Sequence, residues 1–148
     1  HFLFDLAFTG DAPEWQDEGF PTLRGTIIIG DYAEDFLAPL GPWQRADYER
    51  HWIEAGRRLV AGADRTAFIT VAFQFWWPMW RDGDDVILTE ELLWFSRGAA
   101  TLDPIHPFDV ISDWSALSED GDPVSHWRCQ VADVAGFIHR RGESYGAV

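Results

Sequence analysis

Apolar residues alternate along the first segment of the chain. Phe2, Phe4, Leu6 and Phe8 share one face if extended, which predicts a first strand. Gly10, Pro13, Gly19 and Pro21 then punctuate a loop from Thr9 to Pro21, in which Asp11, Glu14, Asp17 and Glu18 surround a lone Trp15. The β-branched run Thr26 to Ile29, bounded by Gly25 and Gly30, predicts a second strand, short and buried on both faces. After Pro39-Leu40-Gly41-Pro42, the residues Tyr48, Trp52, Ala55 and Leu59 keep the spacing of an amphipathic helix, and Gly62 stands where its C-terminal cap belongs.

Thr66 to Phe73 and Phe75 to Trp80 read as strands. Arg81-Asp82-Gly83-Asp84 is the strongest hairpin signal, and a turn at Asp82-Gly83 would place Glu90 near Phe75 and Glu91 near Gln74 on a return strand from Val86 to Phe95. Pro78 has no N–H for a ladder, so its strand is expected at an edge or with a bulge. Arg97 to Asp122 reads as a long irregular connection anchored by Ile105, Phe108, Ile111 and Trp114. Ser125, Trp127, Cys129 and Val131 alternate in a last strand, and Val134, Phe137 and Ile138 line a short C-terminal helix, with His139 and Arg140 complementing its C-terminus. These elements predict the α+β class: one domain over residues 1–148, with a mostly antiparallel β-sheet, one long amphipathic helix packed on a face and a short C-terminal helix.

Charge narrows the partners. The 148 residues carry 25 acidic and 11 basic side chains, a net charge of −14, and every basic residue is arginine. Such a surface disfavours nucleic acid and anionic membrane and favours a basic protein partner. Cys129 is the single cysteine, which excludes an internal disulfide and fits a reducing cytoplasm. No apolar run has the length of a membrane span, and Phe2 to Phe8 lacks the length and basic flank of a signal peptide. Because the chain opens on His1, its native start is expected to be trimmed or tag-derived.

Candidate chemistry is sparse. No HExxH, GxSxG, GxGxxG or GxxxxGK occurs, and no cofactor is expected. Asp103, His106 and Asp109 share a loop that could hold a metal, although Pro104 and Pro107 favour a solvated loop, and no metal site is assigned. Cys129 shares the core face of its strand, where a thiol is inert. Glu90 and Glu91 interrupt an apolar strand beside aromatics that could raise a carboxyl pKa and suit a general acid. Alternatively they stand at a solvated sheet margin, neutralised by Arg81 or Arg97. Phe73, Phe75, Trp76, Trp77 and Trp80 could stack on a sugar or base, or fill two core layers, which consecutive aromatics in a strand do more often. Together the acids and tryptophans leave one alternative function, a small hydrolase or sugar-binding enzyme using Glu90 or Glu91.

A second line of reading comes from the order of several segments. Gly25-Thr26-Ile27-Ile28-Ile29-Gly30-Asp31-Tyr32-Ala33-Glu34-Asp35-Phe36 is followed by Trp43, Tyr48 and Trp52, by Phe75-Trp76-Trp77 with the Arg81-Asp82-Gly83-Asp84 turn, and by Glu119-Asp120-Gly121-Asp122 leading to Ser125 and Trp127. Over residues 25–138 this order resembles the immunity proteins of bacterial contact-dependent growth inhibition systems. Pro78 departs from the pattern, where an aliphatic residue is expected, so that strand should be irregular. The resemblance implies a cytoplasmic protein without enzymatic activity. It implies a 1:1 complex with the C-terminal toxin domain of a cognate secreted effector, many such toxins being nucleases. The matched glycines and tryptophans would then build the scaffold. Recognition is expected from acids flanking the shared motifs, namely Glu14, Asp17, Glu18, Asp84, Asp85, Glu90, Glu91, Asp120 and Asp122. Trp15 is expected either as an aromatic anchor for the partner or as a satellite of the core.

Overall fold

The computed structural model describes residues 4–15, 19–41, 43–71, 74–92, 108, 111–118 and 120–145. Its first three strands, β1 (Phe4–Phe8), β2 (Thr22–Ile29) and β3 (Tyr32–Pro39), form an antiparallel sheet in the order β1-β2-β3. The run Thr26 to Ile29 is only the second half of β2. It is not buried on both faces, because Gly25, Ile27 and Ile29 point into the core while Thr26 and Ile28 stay half-buried. Thr26 shows what its outer face does: its hydroxyl donates to Asp35 Oδ1 at 2.6 Å across the β2–β3 pair. The turn into β3 is the two-residue loop Gly30-Asp31, with Gly30 at φ +59°. A side chain at Gly25 would collide with the Phe36 ring, which lies over it from β3.

The helix α1 (Arg45–Val60) starts where the Gln44 N–H donates to Asp47 Oδ2 at 2.8 Å, a local bond that satisfies a group at the helix entrance. It ends at Ala61, and Gly62 follows at φ +120°. Tyr48, Trp52, Ile53, Ala55 and Leu59 are buried, so the expected stripe is the packed one. Three bonds seat this helix on β4 (Arg65–Val71): Trp52 Nε1 donates to Ile69 O, Thr66 Oγ1 donates to Ala55 O, and Ile69 N donates to His51 Nε2, each at 2.8 Å.

A second antiparallel sheet runs β4, β5 (Phe75–Asp82), β6 (Asp85–Leu88) and β8 (Trp127–Gln130), with β7 (Glu91–Leu92) also on β5. The α+β class therefore holds, with the strands divided between two sheets. The hairpin turns at Gly83-Asp84 and not at Asp82-Gly83, since Asp82 pairs with Asp85 and Gly83 takes φ +66°. That moves the return strand by two residues and sets Glu91 opposite Trp76 and Leu92 opposite Phe75. A shift of two preserves which face each side chain uses.

Pro78 does not lie on an edge, because β5 has β4 on one side and β6 and β7 on the other. The irregularity sits on its partner. Thr89 donates its N–H to Pro78 O at 3.2 Å, Pro78 has none to return, and the return strand breaks there at Thr89-Glu90 between β6 and β7. Its continuation toward Phe95 lies outside the described residues.

The last helix, α2, spans Val131–Arg141, so Val131 opens the helix and does not extend β8. The cause is again local: Gln130 N donates to Asp133 Oδ2 at 2.7 Å and starts the helix. His139 and Arg140 stand in its last turn as expected; Arg140 also donates to Phe4 O, while Arg141 pairs with Asp5 at 2.7 Å and Tyr145 Oη donates to Leu6 O at 2.7 Å. Gly56 of α1 lets α2 approach closely, since a Cβ there would stand 3.2 Å from Ile138. From the long connection, Ile111 is buried and Phe108 and Trp114 are packed against the core, while Ile105 lies outside the described residues.

Candidate functional site

The ten residues singled out from the sequence fall in several places. Glu14 is bridged to Thr22 by reciprocal backbone bonds of 2.7 and 2.8 Å, and its carboxylate pairs with Arg24 at 3.3 Å. Directly beyond this pinned base Trp15 is 79% exposed, more than any other large apolar side chain described. Asp17 and Glu18 lie outside the described residues. Asp84 and Asp85 are exposed at the β5–β6 turn, where Asp84 O accepts the N–H of Val131 at 2.9 Å. Asp120 and Asp122 are exposed on a turn closed by Ser118 N donating to Asp122 O at 2.8 Å.

Glu90 and Glu91, adjacent in sequence, part company. Glu91 is half-buried and accepts a bond from Thr89 Oγ1 at 3.4 Å. Glu90 stands exposed in the break between β6 and β7, on the side of Glu34 of β3, whose carboxylate accepts from Tyr32 Oη at 2.8 Å. Burial and the adjacent Glu34 push Glu90 up to about 8, and burial with the same carboxylate pushes Tyr32 up to about 12. Arg81 bonds Leu59 O and Gly83 O, and Arg97, the other arginine expected near these acids, lies outside the described residues. Sequence reasoning missed Tyr32 and Glu34 as members of this group. The two-residue Gly30-Asp31 loop was the signal, since a hairpin there places both on one face of β3.

The aromatic run fills core layers. Trp76, Trp77 and Trp80 are buried, Trp77 packing on Trp127 and Trp80 on Trp114 with ring centres 5.2 and 5.3 Å apart. Phe73 lies outside the described residues. A cleft of about 440 Å³ opens beside Trp80, Trp114 and Ile87, and it includes neither Glu90 nor Glu91. Its arginines are engaged: Arg65 pairs with Asp64 and Asp113, Arg81 with backbone carbonyls, and Arg128 lies 3.9 Å from Asp82. Among the described residues no three His, Cys, Asp or Glu side chains gather to hold a metal ion, and Asp103, His106 and Asp109 lie outside them. Cys129 is buried, and burial with Asp133 and Asp85 pushes its thiol up to about 12. No helix among the described residues is long and apolar enough to cross a membrane.

This arrangement defines an acidic α+β scaffold that displays carboxylates and, among the described residues, one exposed tryptophan on its turns, with Glu90 and Glu91 away from the cleft. The profile of the CdiI N-terminal domain matches residues 38–137, and the chain belongs to that family. The match begins at Ala38, past the Gly25 to Phe36 string, and ends one residue short of the expected span. The chain is similar to Immunity protein CdiI of Enterobacter cloacae subsp. cloacae, with 21% identity over 129 residues that cover 82% of this chain and 88% of that protein. Its fold resembles a chain of the CdiA-CT/CdiI toxin and immunity complex from Enterobacter cloacae. The TM-score is 0.82 at 19% identity, covering 95% of this chain and 99% of the other.

Proposed function

We propose that this protein is an immunity protein that binds the C-terminal toxin domain of its cognate contact-dependent growth inhibition effector and neutralises it without turnover. The observation that carries the reading is family membership over residues 38–137, and the relative whose fold it shares was solved in a toxin–immunity complex. Residues 1–148 act as one domain in a 1:1 complex in the cytoplasm. The toxin domain is basic, and a nuclease is the best match, because a phosphate-holding surface is cationic and the net charge here is −14.

Recognition rests on Glu14, Asp17, Glu18, Asp84, Asp85, Glu90, Glu91, Asp120 and Asp122, with Trp15 as the anchor. Supporting this, the Glu14–Thr22 bridge fixes the backbone next to Trp15 while the indole stands in water. The hydrolase alternative gains nothing from the structure, since the cleft lies away from Glu90 and Glu91. The test is titration of the purified protein with the toxin domain encoded beside it, followed by a growth-protection assay. Saturation at one equivalent with loss of toxicity is expected; absence of binding removes the proposal.

A further inference from the structure

The outer edge of a sheet carries a row of N–H and C=O groups that can pair with another chain. On β1 this row is covered by Arg140 bonding Phe4 O and Tyr145 bonding Leu6 O. In the second sheet β4 is covered at Ile69 by His51 and Trp52, and β8 runs only four residues before α2 begins. β3, with eight residues, is the long edge that nothing covers in this way among the described residues.

Neighbouring bonds fix which groups of β3 point outward. Arg24 O accepts the N–H of Thr9 and of Gly10, and Thr22 exchanges two bonds with Glu14, so these positions of β2 face the β1 side. By alternation Leu23, Gly25, Ile27 and Ile29 face β3, opposite Ala38, Phe36, Glu34 and Tyr32. The backbone groups of Ala33, Asp35, Leu37 and Pro39 therefore point away from the sheet. Pro39 has no N–H, and its carbonyl accepts from Tyr48 Oη at 2.9 Å. Leu37 is half-buried, toward the end where Trp52 packs on Phe36 and reaches Ile69 of β4. Ala33 and Asp35 are exposed, and among the described residues no bond occupies the outward backbone groups of Ala33, Asp35 or Leu37.

We propose that β3 is a docking edge, along which a basic strand of the toxin domain adds to the sheet from Ala33 to Leu37. Charge selects this occupant. From Gly25 to Gln44 the chain carries Asp31, Glu34 and Asp35 and no basic residue, and Asp31 and Asp35 are exposed. A second copy paired antiparallel about Asp35 would set these acids against themselves, and like charges directly opposite destabilise a strand pair. A strand bearing Lys or Arg puts opposite charges there instead. Backbone pairing then supplies affinity, and the acids supply the choice of strand.

The docking edge rests on the toxin-binding reading, and the experiment separates the two. Titration with the toxin domain encoded beside this protein comes first, and amide hydrogen exchange is then compared between the free protein and the saturated complex. Ala33 and Asp35 are expected to slow about tenfold or more on binding, while Glu34 and Phe36, already paired with β2, change little. Ala33→Pro removes one outward N–H at an exposed position and leaves the β2 ladder intact, so it should fold and raise the toxin Kd about tenfold. Saturable binding that leaves Ala33 and Asp35 unprotected overturns the docking edge and keeps the toxin reading, whereas absence of binding removes both. A folded Ala33→Pro variant with the parent's Kd also overturns it. So does slowing of the same amides as the concentration of the protein alone is raised, which would make the edge a contact between copies.

Discussion

His51 accepts the backbone N–H of Ile69 through Nε2 at 2.8 Å, and the next residue, Trp52, donates its indole N–H to the carbonyl of the same Ile69 at 2.8 Å. Two side chains of α1 thus take the place that a neighbouring strand would occupy on the outer edge of β4. An open edge invites pairing with another chain, and here the helix closes it. The Trp43 and Phe108 rings pack on the imidazole at 5.1 and 5.9 Å, and Arg58 lies 4.2 Å over Phe108.

Burial holds His51 down to about 3, so the folded protein keeps it neutral while the unfolded chain takes up its proton near 6.5. The unfolded state binds more protons between these values, so this group's stability is complete above 6.5 and is lost as pH falls toward 3. The slope is at most about 1.4 kcal/mol per pH unit. Glu90 acts in the opposite sense above 4.5, as does Glu49, which burial also raises. Urea midpoints across pH 3 to 9 should show a broad optimum near 4.5 to 6.5. His51→Gln should flatten the acid limb.

Trp52 fills the centre of the core and is fully buried, in contact with Phe8, Phe36, Tyr48 and Tyr145. Trp52→Ala is expected to cost roughly 3 to 5 kcal/mol in urea unfolding. Trp52→Phe keeps most of the packing but strands the Ile69 carbonyl, and should cost about 1 to 3 kcal/mol. An unchanged midpoint for either would mean that α1 presents another face.

Cys129 combines burial with a thiol pushed up to about 12, both of which suppress the reactive thiolate. Native labelling by a disulfide reagent at pH 8 should track unfolding, with full reaction only in denaturant. Fast native labelling would contradict this placement.

For toxin association, Trp15→Ala should raise koff by tenfold or more and leave kon nearly unchanged. Charge reversal at Asp84 and Asp85 should do the opposite if that turn faces the toxin, slowing kon and flattening its salt dependence. Stopped-flow association and dissociation at two salt concentrations separate the two effects.

Much of the fold was legible because its signals are local. Tyr48, Trp52, Ala55 and Leu59 repeat at helical spacing, and the same residues line the packed face. β3 was not, because Glu34 and Asp35 interrupt its apolar pattern and only the Gly30-Asp31 turn marks it. The β5–β6 register slipped by two because Gly83, with its positive φ, takes the first turn position and not the second. That Glu90 stands on the side of Glu34 was beyond reach for a different reason: Glu34 lies in another sheet, brought close only by the folding of everything between.

The bonds from Arg140 to Phe4 O and from Tyr145 to Leu6 O join positions 136 and 139 residues apart. They cover backbone on β1 that has no other strand beyond it among the described residues. A ribosome adds about 5 to 20 residues per second, so β1 emerges roughly 7 to 30 s before the residues that cover it exist. The sealing of β1 therefore waits for α2 and the residues just after it, and nascent copies on a polysome carry that seam open side by side until those residues are made.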